Sequence, residues 1–281
     1  MASGSQTLIN DSGINQLIGK RSDYGNYGGL IDDVRIYNRA LSATEVAQLY
    51  NSTKDGYLGK VKASTGLVGY WKLDDNTSTA TVIDYSGKNN NGVFYDSGSA
   101  TSTSLHSTTT AVVARAMVFD GVNDYVDVGN GASLRVTNAF TYSAWIKWST
   151  TPTGYGGIWW DQNGPTYNRI LIVGSSKSLL AQYTVLGSAA TPANSIPPNI
   201  WKHVVLTYNG SELVFWINGI KQTPTITSGS VPANSNNRLI GVGFPDYYYF
   251  NGLIDEVRIY NRALSAEEIK QLYERGRNGL P

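Results

Sequence analysis

The sequence predicts an all-β fold, an antiparallel sandwich or jelly roll that ends in one short helix. Three observations lead to this prediction. Apolar and polar residues alternate over many short runs, which is the period-two pattern of half-buried strands. Turn signals such as Asn209-Gly210 and Asn218-Gly219 lie between the runs, where hairpins are expected to turn. Near the C-terminus, Ser265 and Glu268 form a capping-box motif at the start of a short helical pattern.

The elements follow in order along the chain. In the closing strand, Leu253, Val257 and Ile259 are expected to face the interior, while Glu256 and Arg258 face the other way. The helix then begins after the capping box, covers an end of the core through Leu272, and is expected to stop at Gly276. The predicted strands are 66–73, 93–95, 114–119, 125–128, 140–148, 158–160, 169–173, 179–186, 201–208, 213–217, 238–242 and 252–260.

An internal repeat divides the chain. Residues 29–50 and 252–273 differ at four of 22 positions, so 18 positions match at an offset of 223. The second copy follows a long β-rich body, whereas almost nothing precedes the first copy. We therefore interpret residues 6–50 as the closing strands and helix of a preceding repeat, residues 51–65 as a linker, and residues 66–276 as a complete domain. Residues 1–5 read as a cloning remnant.

The composition of the 281-residue chain excludes several classes of function. Its net charge of +1 argues against a nucleic-acid-binding protein, which normally carries a basic face. Because the chain has no cysteine, it has no disulfide, no thiolate metal site and no cysteine nucleophile. No apolar run approaches the ~20 residues of a membrane span, so membrane insertion is not predicted.

Five motifs occur in the order found in one family. They are GLVGYWKLDD from Gly66, MVFDGVNDYVDVG from Met117, FTYSAWIKW from Phe140, WKHVVLTYNGSELVFWINGIK from Trp201 and NGLIDEVRIYNRALSAEE from Asn251. On these motifs the chain resembles laminin-G-like domains, which are concanavalin A-like jelly rolls. The resemblance covers about residues 66–276, and residues 19–50 match the closing strand and helix again. It implies a secreted or cell-surface module that binds a glycan or a surface protein.

Catalysis is not predicted, although the concanavalin A-like fold also carries glucanases. A glycoside hydrolase needs two carboxylates that flank the scissile bond. The Glu-x-Asp-x-x-Glu run of the related laminarinases is absent, and Asp255 and Glu256 are adjacent, so a regular strand points them to opposite faces. Of the two histidines, His106 lies in a Ser/Thr-rich loop, and His203 lies in a strand where we expect a structural role. A glycoside hydrolase is the less favoured alternative.

Calcium is the cofactor that the sequence suggests. Ca²⁺ takes six to eight oxygen ligands, and two loops are rich in carboxylate and amide oxygens. In the family, the first and last strands lie side by side, which is expected to bring Asp255 close to the first loop. The predicted metal set is Asp84, Asn89, Asn91 and Asp255, and the alternative set is Asp120, Asn123 and Asp124. The competing interpretation is that Asp84 and Asp120 cap turns through their own hydrogen bonds.

Sugar binding requires exposed aromatic rings with polar neighbours. Trp145, Trp201 and Trp216 lie in regular strands and are assigned to the core. The candidate ligand-binding residues are Trp159, Trp160, Asp161, Asn163, Tyr167, Tyr247, Tyr248 and Tyr249. Inter-sheet packing or a domain interface is the competing interpretation of these rings.

A different function is also open: residues 17–50 carry an apolar strand without the domain that buries it, which predicts self-association through this segment.

Overall fold

The structure is a computed structural model that describes residues 65–281, except 104–105, 150–153, 162–167, 184–186, 224–225, 228–234, 244–247 and 280. In the N-terminal part it describes residues 18, 20–21, 25–26, 28–29, 31, 34, 36–42 and 46. The chain divides into two compact units, Met1–Gly59 and Lys60–Pro281. Half of residues 29–50, where a strand and a helix are predicted, lie outside the described residues. The division into a preceding repeat, a linker and a complete domain stays a prediction.

Nearly all the described elements are short antiparallel strands, and besides a 3₁₀ helix at Ala132–Leu134 the second unit has one C-terminal α-helix, which confirms the predicted fold class. The first unit contains β1 Lys20–Arg21 and β2 Gly25–Asn26. The second unit contains β3 Leu67–Trp71, β4 Thr81–Val82, β5 Gly92–Asp96, β6 Ser99–Ala100, β7 Ser107–Thr108, β8 Ala116–Asp120, β9 Tyr125–Asp127, β10 Phe140–Trp148, β11 Gly156–Asp161, β12 Asn168–Val173, β13 Leu179–Tyr183, β14 Gly187–Ala190, β15 Lys202–Tyr208, β16 Glu212–Ile217, β17 Ile220–Lys221, β18 Ile226–Thr227, β19 Arg238–Ile240, β20 Val242–Gly243, β21 Tyr248–Tyr249, β22 Asn251–Tyr260 and α1 Ala266–Arg277.

Two large sheets form a sandwich. The front sheet runs in the order β17-β16-β15-β10-β22-β8-β7, with β3 paired to β22 and β18 paired to β16. The back sheet runs in the order β14-β13-β12-β11-β19-β9-β5-β4, with β6 paired to β5. Strand β22 is central in the front sheet because β10 pairs with one of its edges, while β8 and β3 share the other.

Apolar side chains from both sheets meet in one buried core. Tyr142 of the front sheet lies against Trp159 of the back sheet, with ring centroids 5.2 Å apart. At the edge of the front sheet, the predicted turn at Asn218 and Gly219 is confirmed, because both residues have the positive φ that a type I′ turn requires. Their φ angles are 52° and 78°.

A β-bulge interrupts β22. The residue pairs Trp145–Asp255 and Ser143–Arg258 bracket it: one residue of β10 lies between them, whereas two residues of β22 do. The extra residue is accommodated by Glu256, whose φ of 56° lies in the left-handed region. Such a bulge changes which face the following side chains occupy.

The bulge decides which residues of β22 reach the core. Val257 and Ile259 lie in the core cluster, as the sequence predicts. Ile254 also lies there, whereas Leu253 is only half-buried. The expectation for Leu253 was wrong because simple alternation does not count the extra residue.

Helix α1 begins as predicted and ends later than predicted. The Ser265 hydroxyl accepts the backbone N–H of Glu268 at 3.3 Å, and the Glu268 carboxylate accepts the N–H of Ser265 at 2.8 Å. The predicted stop at Gly276 was wrong, since the helix continues to Arg277. A Cβ at Gly276 would lie 2.3 Å from Trp145 Nε1, so glycine is needed here for the close approach of helix and ring.

The helix covers the outer face of the front sheet. Leu272 packs with Ile269, Val205 and Tyr260 in a separate buried cluster. The expectation that Leu272 covers an end of the core is therefore corrected: it covers a second, outer layer. Within the described ranges, no helix combines the length and apolar character needed to cross a membrane.

Candidate functional site

The tryptophans predicted to bind sugar lie inside the protein, because β11 is a central strand of the back sheet. Trp159 projects into the core between the sheets, where it contacts Tyr142. Trp160 belongs to a separate cluster, with Leu239 and Val242. Both indoles are buried, so neither offers an open face to a sugar ring. The expectation that they are exposed was wrong.

The other members of the same predicted set have different surroundings. Asp161 is buried, and its Oδ1 accepts a hydrogen bond from Trp159 Nε1 at 3.1 Å and lies 3.4 Å from Arg238 Nε. Tyr248 and Tyr249 are half-buried and pack against the Trp160 cluster. Asn163, Tyr167 and Tyr247 lie outside the described residues. A binding role for the set stays a prediction.

Asp84, the first residue of the predicted calcium set, is fully engaged by the surrounding backbone. Its Oδ1 accepts the N–H groups of Tyr70 and Ser86, both at 2.9 Å. Its Oδ2 accepts the N–H of Asn90 at 2.9 Å and the hydroxyl of Ser86 at 2.8 Å. A carboxylate has about four lone-pair positions, so these four donors leave none directed to a cation. This geometry matches the competing interpretation of a turn cap.

The remaining members of the calcium set also have other partners. The amide oxygen of Asn91 accepts the backbone N–H of Asp84 at 2.9 Å, and Asn89 is exposed. Asp255 Oδ2 accepts the N–H groups of Val112 and Val113, each at 3.0 Å. These hydrogen bonds hold turns and loops in place, while Asp255 Oδ1 is buried without a hydrogen-bond donor. Calcium at this set stays a prediction without geometric support.

The alternative calcium set divides in a similar way. Asp120 Oδ1 accepts the N–H groups of Val122 at 2.7 Å and Asn123 at 3.4 Å, so Asp120 is a turn cap. Asp124 is buried, and its Oδ2 accepts the N–H of Asp120 at 2.9 Å. The Asp124 carboxylate lies beside His106. A calcium ion shared by the three predicted residues stays a prediction.

A cavity of about 270 Å³ opens on the outer face of the front sheet, beside α1. Three tyrosines and three basic residues give it its character: Tyr70, Tyr85, Tyr260, Lys72, Arg258 and Arg275. Leu67, Leu272 and Pro281 complete the lining. The combination of aromatic rings and basic hydrogen-bond donors is suited to a polar ligand with an apolar face. A larger cavity of about 440 Å³, beside the turn at Ala132–Leu134, has no aromatic side chain in its lining.

The rings of this cavity are fixed by cations. Lys72 Nζ lies 4.2 Å from the ring centroid of Tyr85, and Arg258 lies 4.1 Å from that of Tyr70. The two ring centroids are 6.1 Å apart. Contacts of this kind contribute roughly 0.5–2 kcal/mol each, more when they are shielded from water. Tyr85 is 46% exposed and is the ring most open to a ligand.

A buried network supports the cavity floor. The Tyr70 hydroxyl donates to both Glu256 carboxylate oxygens at 2.9 Å, and Glu256 pairs with Arg258. Burial raises the pKa of the Tyr70 hydroxyl well above its usual range, so the group stays a donor at neutral pH. Glu256 and Arg258 face away from the core as predicted, but both are buried rather than open to solvent.

Sequence reasoning missed this cavity, although one signal for it was present. Tyr70 and Lys72 flank Trp71, whose ring is buried in the core, so alternation along β3 directs both to the outer face. No comparable signal exists for Tyr85 and Arg275, which come from a loop and a helix distant in sequence.

His203 lies in a structural setting. Its Nε2 is 2.9 Å from the Ser143 hydroxyl, and both residues are buried beneath the outer layer. Burial, together with the nearby positive charge of Arg258, lowers the pKa of His203 to about 3, so the imidazole is neutral. This agrees with the expectation from the sequence.

Comparison with known proteins agrees with this fold. A laminin-G family model, described as the Concanavalin A-like lectin/glucanases superfamily, matches residues 120–270. The adhesion G-protein coupled receptor V1 of Danio rerio is 26% identical over 144 residues, which is 48% of this chain and 2% of the receptor. The chain therefore spans only a small part of this curated relative.

Several solved structures have a similar fold. Domain 4 of AbnA, an extracellular GH43 arabinanase of Geobacillus stearothermophilus in complex with arabinotriose, has a TM-score of 0.53 at 21% identity and covers 73% of this chain and 97% of that domain. The binding domain of Paraclostridial Mosquitocidal Protein 1 has a TM-score of 0.59 at 15% identity, and the match covers 75% of this chain and 52% of that chain. The binding domain of botulinum neurotoxin serotype D has a TM-score of 0.56 at 17% identity, and the match covers 75% of this chain and 51% of that chain. At these identities the likeness shows the fold alone.

Proposed function

This chain belongs to the Concanavalin A-like lectin/glucanases superfamily, and we propose that it is a non-catalytic module that binds glycans on a secreted or cell-surface protein. Four similar proteins support binding as the function. One is an adhesion receptor, one is a domain solved in complex with arabinotriose, and two are the binding domains of a mosquitocidal protein and of a botulinum neurotoxin. Because the relative's whole length is far greater than that of this chain, the parent protein's activity is not inferred from it.

The non-catalytic part of the proposal rests on how the carboxylates of the closing strand are used. Asp255 binds two backbone N–H groups, and Glu256 binds Tyr70 and Arg258. A glycoside hydrolase needs one carboxyl group near the leaving oxygen and a second one near the anomeric carbon. Neither member of this pair lines the cavity where a sugar would lie.

One observation carries the glycan proposal: the cavity formed by Tyr70, Tyr85 and their basic neighbours. A pyranose ring has an apolar face that stacks on an aromatic ring, and its hydroxyl or carboxylate groups need hydrogen-bond donors. Lys72 and Arg275 supply such donors at the cavity wall. Tyr85 is the residue to test because its exposed side chain can be removed without opening the core.

A glycan array probed with the full chain and with Tyr85→Ala tests the proposal. Ile200→Ala is a control in the same unit, since Ile200 is 52% exposed and is not among the residues that line the cavity. We expect defined glycans to bind the wild type and the control, and to bind Tyr85→Ala at least about tenfold more weakly, as the loss of one stacking contact of about 1.4 kcal/mol implies. Absence of glycan binding, or equal binding by Tyr85→Ala, would contradict the proposal.

A second candidate function is self-association through residues 17–50. In the closing strand, Ile254, Val257 and Ile259 are 0%, 4% and 1% exposed. Their counterparts in the first copy, Ile31, Val34 and Ile36, are 46%, 50% and 78% exposed. An exposed apolar segment whose sequence favours a strand can pair with a sheet edge of another chain.

Light scattering with size-exclusion chromatography tests this second candidate. If the segment mediates assembly, the full chain should form concentration-dependent oligomers that Ile36→Asp or deletion of residues 1–55 abolishes. Ile220→Asp is a control of the same type, since Ile220 is 67% exposed in the second unit. A full chain that stays monomeric at all concentrations would contradict self-association.

A further inference from the structure

Three side chains that could ligate a metal converge at the β5 end of the back sheet. Asp96 ends β5, His106 directly precedes β7, and Asp124 directly precedes β9. His106 Nδ1 lies 3.7 Å from Asp124 Oδ2, and His106 Nε2 lies 3.8 Å from Asp96 Oδ2. One ligand atom from each residue lies within 4.8 Å of the others. No other group of three His, Cys, Asp or Glu residues in the described part of the chain comes this close.

Asp124 carries a buried oxygen without a partner. Its side chain is 1% exposed, and its Oδ2 accepts the N–H of Asp120, whereas its Oδ1 has no hydrogen-bond donor. A buried carboxylate oxygen without a donor is costly unless a cation lies beside it.

The imidazole does not supply the missing partner. Its two nitrogens lie 3.7 Å from Asp124 Oδ2 and 3.8 Å from Asp96 Oδ2, which exceeds the roughly 2.7–3.2 Å of an N–H···O hydrogen bond, and Asp124 Oδ1 has no donor at all. Backbone contacts hold His106 in place: its backbone N–H donates to the Thr103 carbonyl at 3.1 Å, and its backbone carbonyl accepts the N–H of Val118 at 2.6 Å. Its ring lies against Phe94, with centroids 4.4 Å apart. The ring is thus fixed opposite two carboxylates without a hydrogen bond to either.

Hydrogen bonds from neighbouring side chains orient Asp96. The Ser97 hydroxyl donates to Asp96 Oδ1 at 2.9 Å, and Asn123 Nδ2 donates to the Ser97 hydroxyl at 3.0 Å. The Asn123 amide oxygen is itself buried without a hydrogen-bond donor. Ligands held by outer hydrogen bonds of this kind are typical of metal sites.

We propose that Asp96, His106 and Asp124 form a binding site for a divalent transition metal ion, and that Zn²⁺ fits the ligand types best. One imidazole and two carboxylates are zinc ligands, whereas Ca²⁺ takes oxygen ligands alone. The charge of a dication balances the two carboxylates. This site differs from the predicted calcium sets, because it excludes Asp120 and includes a histidine.

The present spacing leaves room for the ion. Zinc bonds of about 2.0–2.2 Å imply ligand separations of roughly 3.3–3.6 Å in a tetrahedral site. The group, which spans up to 4.8 Å, has to contract by about 1 Å at its widest to reach these separations. His106 faces Asp124 with Nδ1 and Asp96 with Nε2, so one carboxylate has to move towards the nitrogen that binds the ion. Asp96, whose side chain is 40% exposed, is the ligand that can move most easily. With three protein ligands, the fourth position is left for a water molecule.

Titration calorimetry of ZnCl₂ into the tag-free full chain tests the site, with thermal melts measured in parallel. We expect one zinc ion per chain and a higher Tm with zinc. Asp96→Asn and His106→Gln should each weaken binding by about tenfold or more, a loss of at least about 1.4 kcal/mol. The control is Asp120→Asn, which keeps an acceptor oxygen for the turn and should bind zinc as the wild type does. Circular dichroism confirms that each variant is folded.

Three results would overturn the proposal. The first is a wild-type chain that neither takes up zinc nor gains thermal stability from it. The second is equal zinc affinity in the wild type and in both ligand variants, which would indicate another surface site. The third is displacement of zinc by CaCl₂ together with loss of binding in Asp120→Asn, which would favour the calcium loop instead. A Co²⁺ derivative gives an independent readout, because a d–d spectrum of tetrahedral intensity is expected only if the imidazole and carboxylates bind the ion together.

Discussion

The β-bulge in β22 makes opposite predictions for two neighbouring apolar residues. Ile254 is fully buried in the core, whereas Leu253 is half-buried. On a regular strand in the register expected from alternation, these assignments would be reversed. The variants Ile254→Ala and Leu253→Ala remove the same number of carbon atoms from adjacent positions. Comparing them therefore tests the bulge with little change in chemistry.

The expected magnitudes follow from burial. Ile254→Ala removes three buried carbons, and at about 0.8 kcal/mol per carbon the transfer contribution is about 2.4 kcal/mol. The cavity left in a core that does not fully relax raises the loss of unfolding free energy to about 2–5 kcal/mol. Leu253 loses less contact because part of its side chain is already in water, so its variant should cost about 1 kcal/mol.

Equilibrium urea unfolding, followed by tryptophan fluorescence and far-UV circular dichroism, measures both losses. A change in the midpoint at an unchanged slope reports stability, and coincidence of the two probes shows that a single transition is being measured. Val257→Ala, on the other side of the bulge, is the positive control and should cost roughly 2–4 kcal/mol. A Leu253→Ala variant that loses as much stability as Ile254→Ala, or more, would refute the bulge and restore simple alternation.

Three further predictions concern single sites. Burial and the neighbouring Glu256 raise the pKa of Asp255 to about 8. The native state therefore holds this proton more tightly than the unfolded chain, and stability falls as the pH rises from about 4 to about 8. Asp255→Asn should flatten that dependence in urea unfolding at a series of pH values, and a slope equal to that of the wild type would contradict this. Asp84→Ala removes the acceptor of four hydrogen bonds and should cost about 2–4 kcal/mol of unfolding free energy. If calcium raises the melting temperature of the wild type but not that of Asp84→Ala, the calcium interpretation of Asp84 would be supported instead. Gly276→Ala places a Cβ against Trp145 and should lower the free energy of unfolding by about 1–3 kcal/mol. A thermal melt measures this loss, with Asn278→Ala at an exposed position as the control.

Much of the fold could be predicted because strand signals are local. The strand Phe140–Trp148 has the bounds that its apolar pattern predicts, and the Asn218-Gly219 turn has the required backbone angles. The faces of β22 could not be predicted past the bulge, since Glu256 carries no turn signal and adopts a left-handed φ only in its sheet context. The end of α1 could not be predicted from Gly276 either, because the role of this glycine depends on a residue distant in sequence. A glycine near a helix end usually marks the stop, but here it makes room for a ring from another element.

The candidate sites were harder to predict because they depend on which faces are covered. Alternation assigns Trp159 and Trp160 to opposite faces of β11, and it does not tell whether each face is exposed. In the structure both faces are covered, by the front sheet on one side and by the cluster around Leu239 on the other. Tyr70 and Arg258, in contrast, meet because β3 pairs with β22, a long-range contact that no local pattern specifies.

The repeated segment makes the same point within one chain. Residues 29–50 and 252–273 are nearly identical, so their local preferences for strand and helix are nearly the same. Yet Ile254, Val257 and Ile259 are buried, while their counterparts in the first copy are exposed. The difference cannot come from the local sequence; it comes from the neighbouring strands β10, β3 and β8, which enclose β22. A strand whose apolar side chains need such neighbours gains stability wherever a sheet edge supplies them, which is the physical basis for expecting the first copy to pair with another chain.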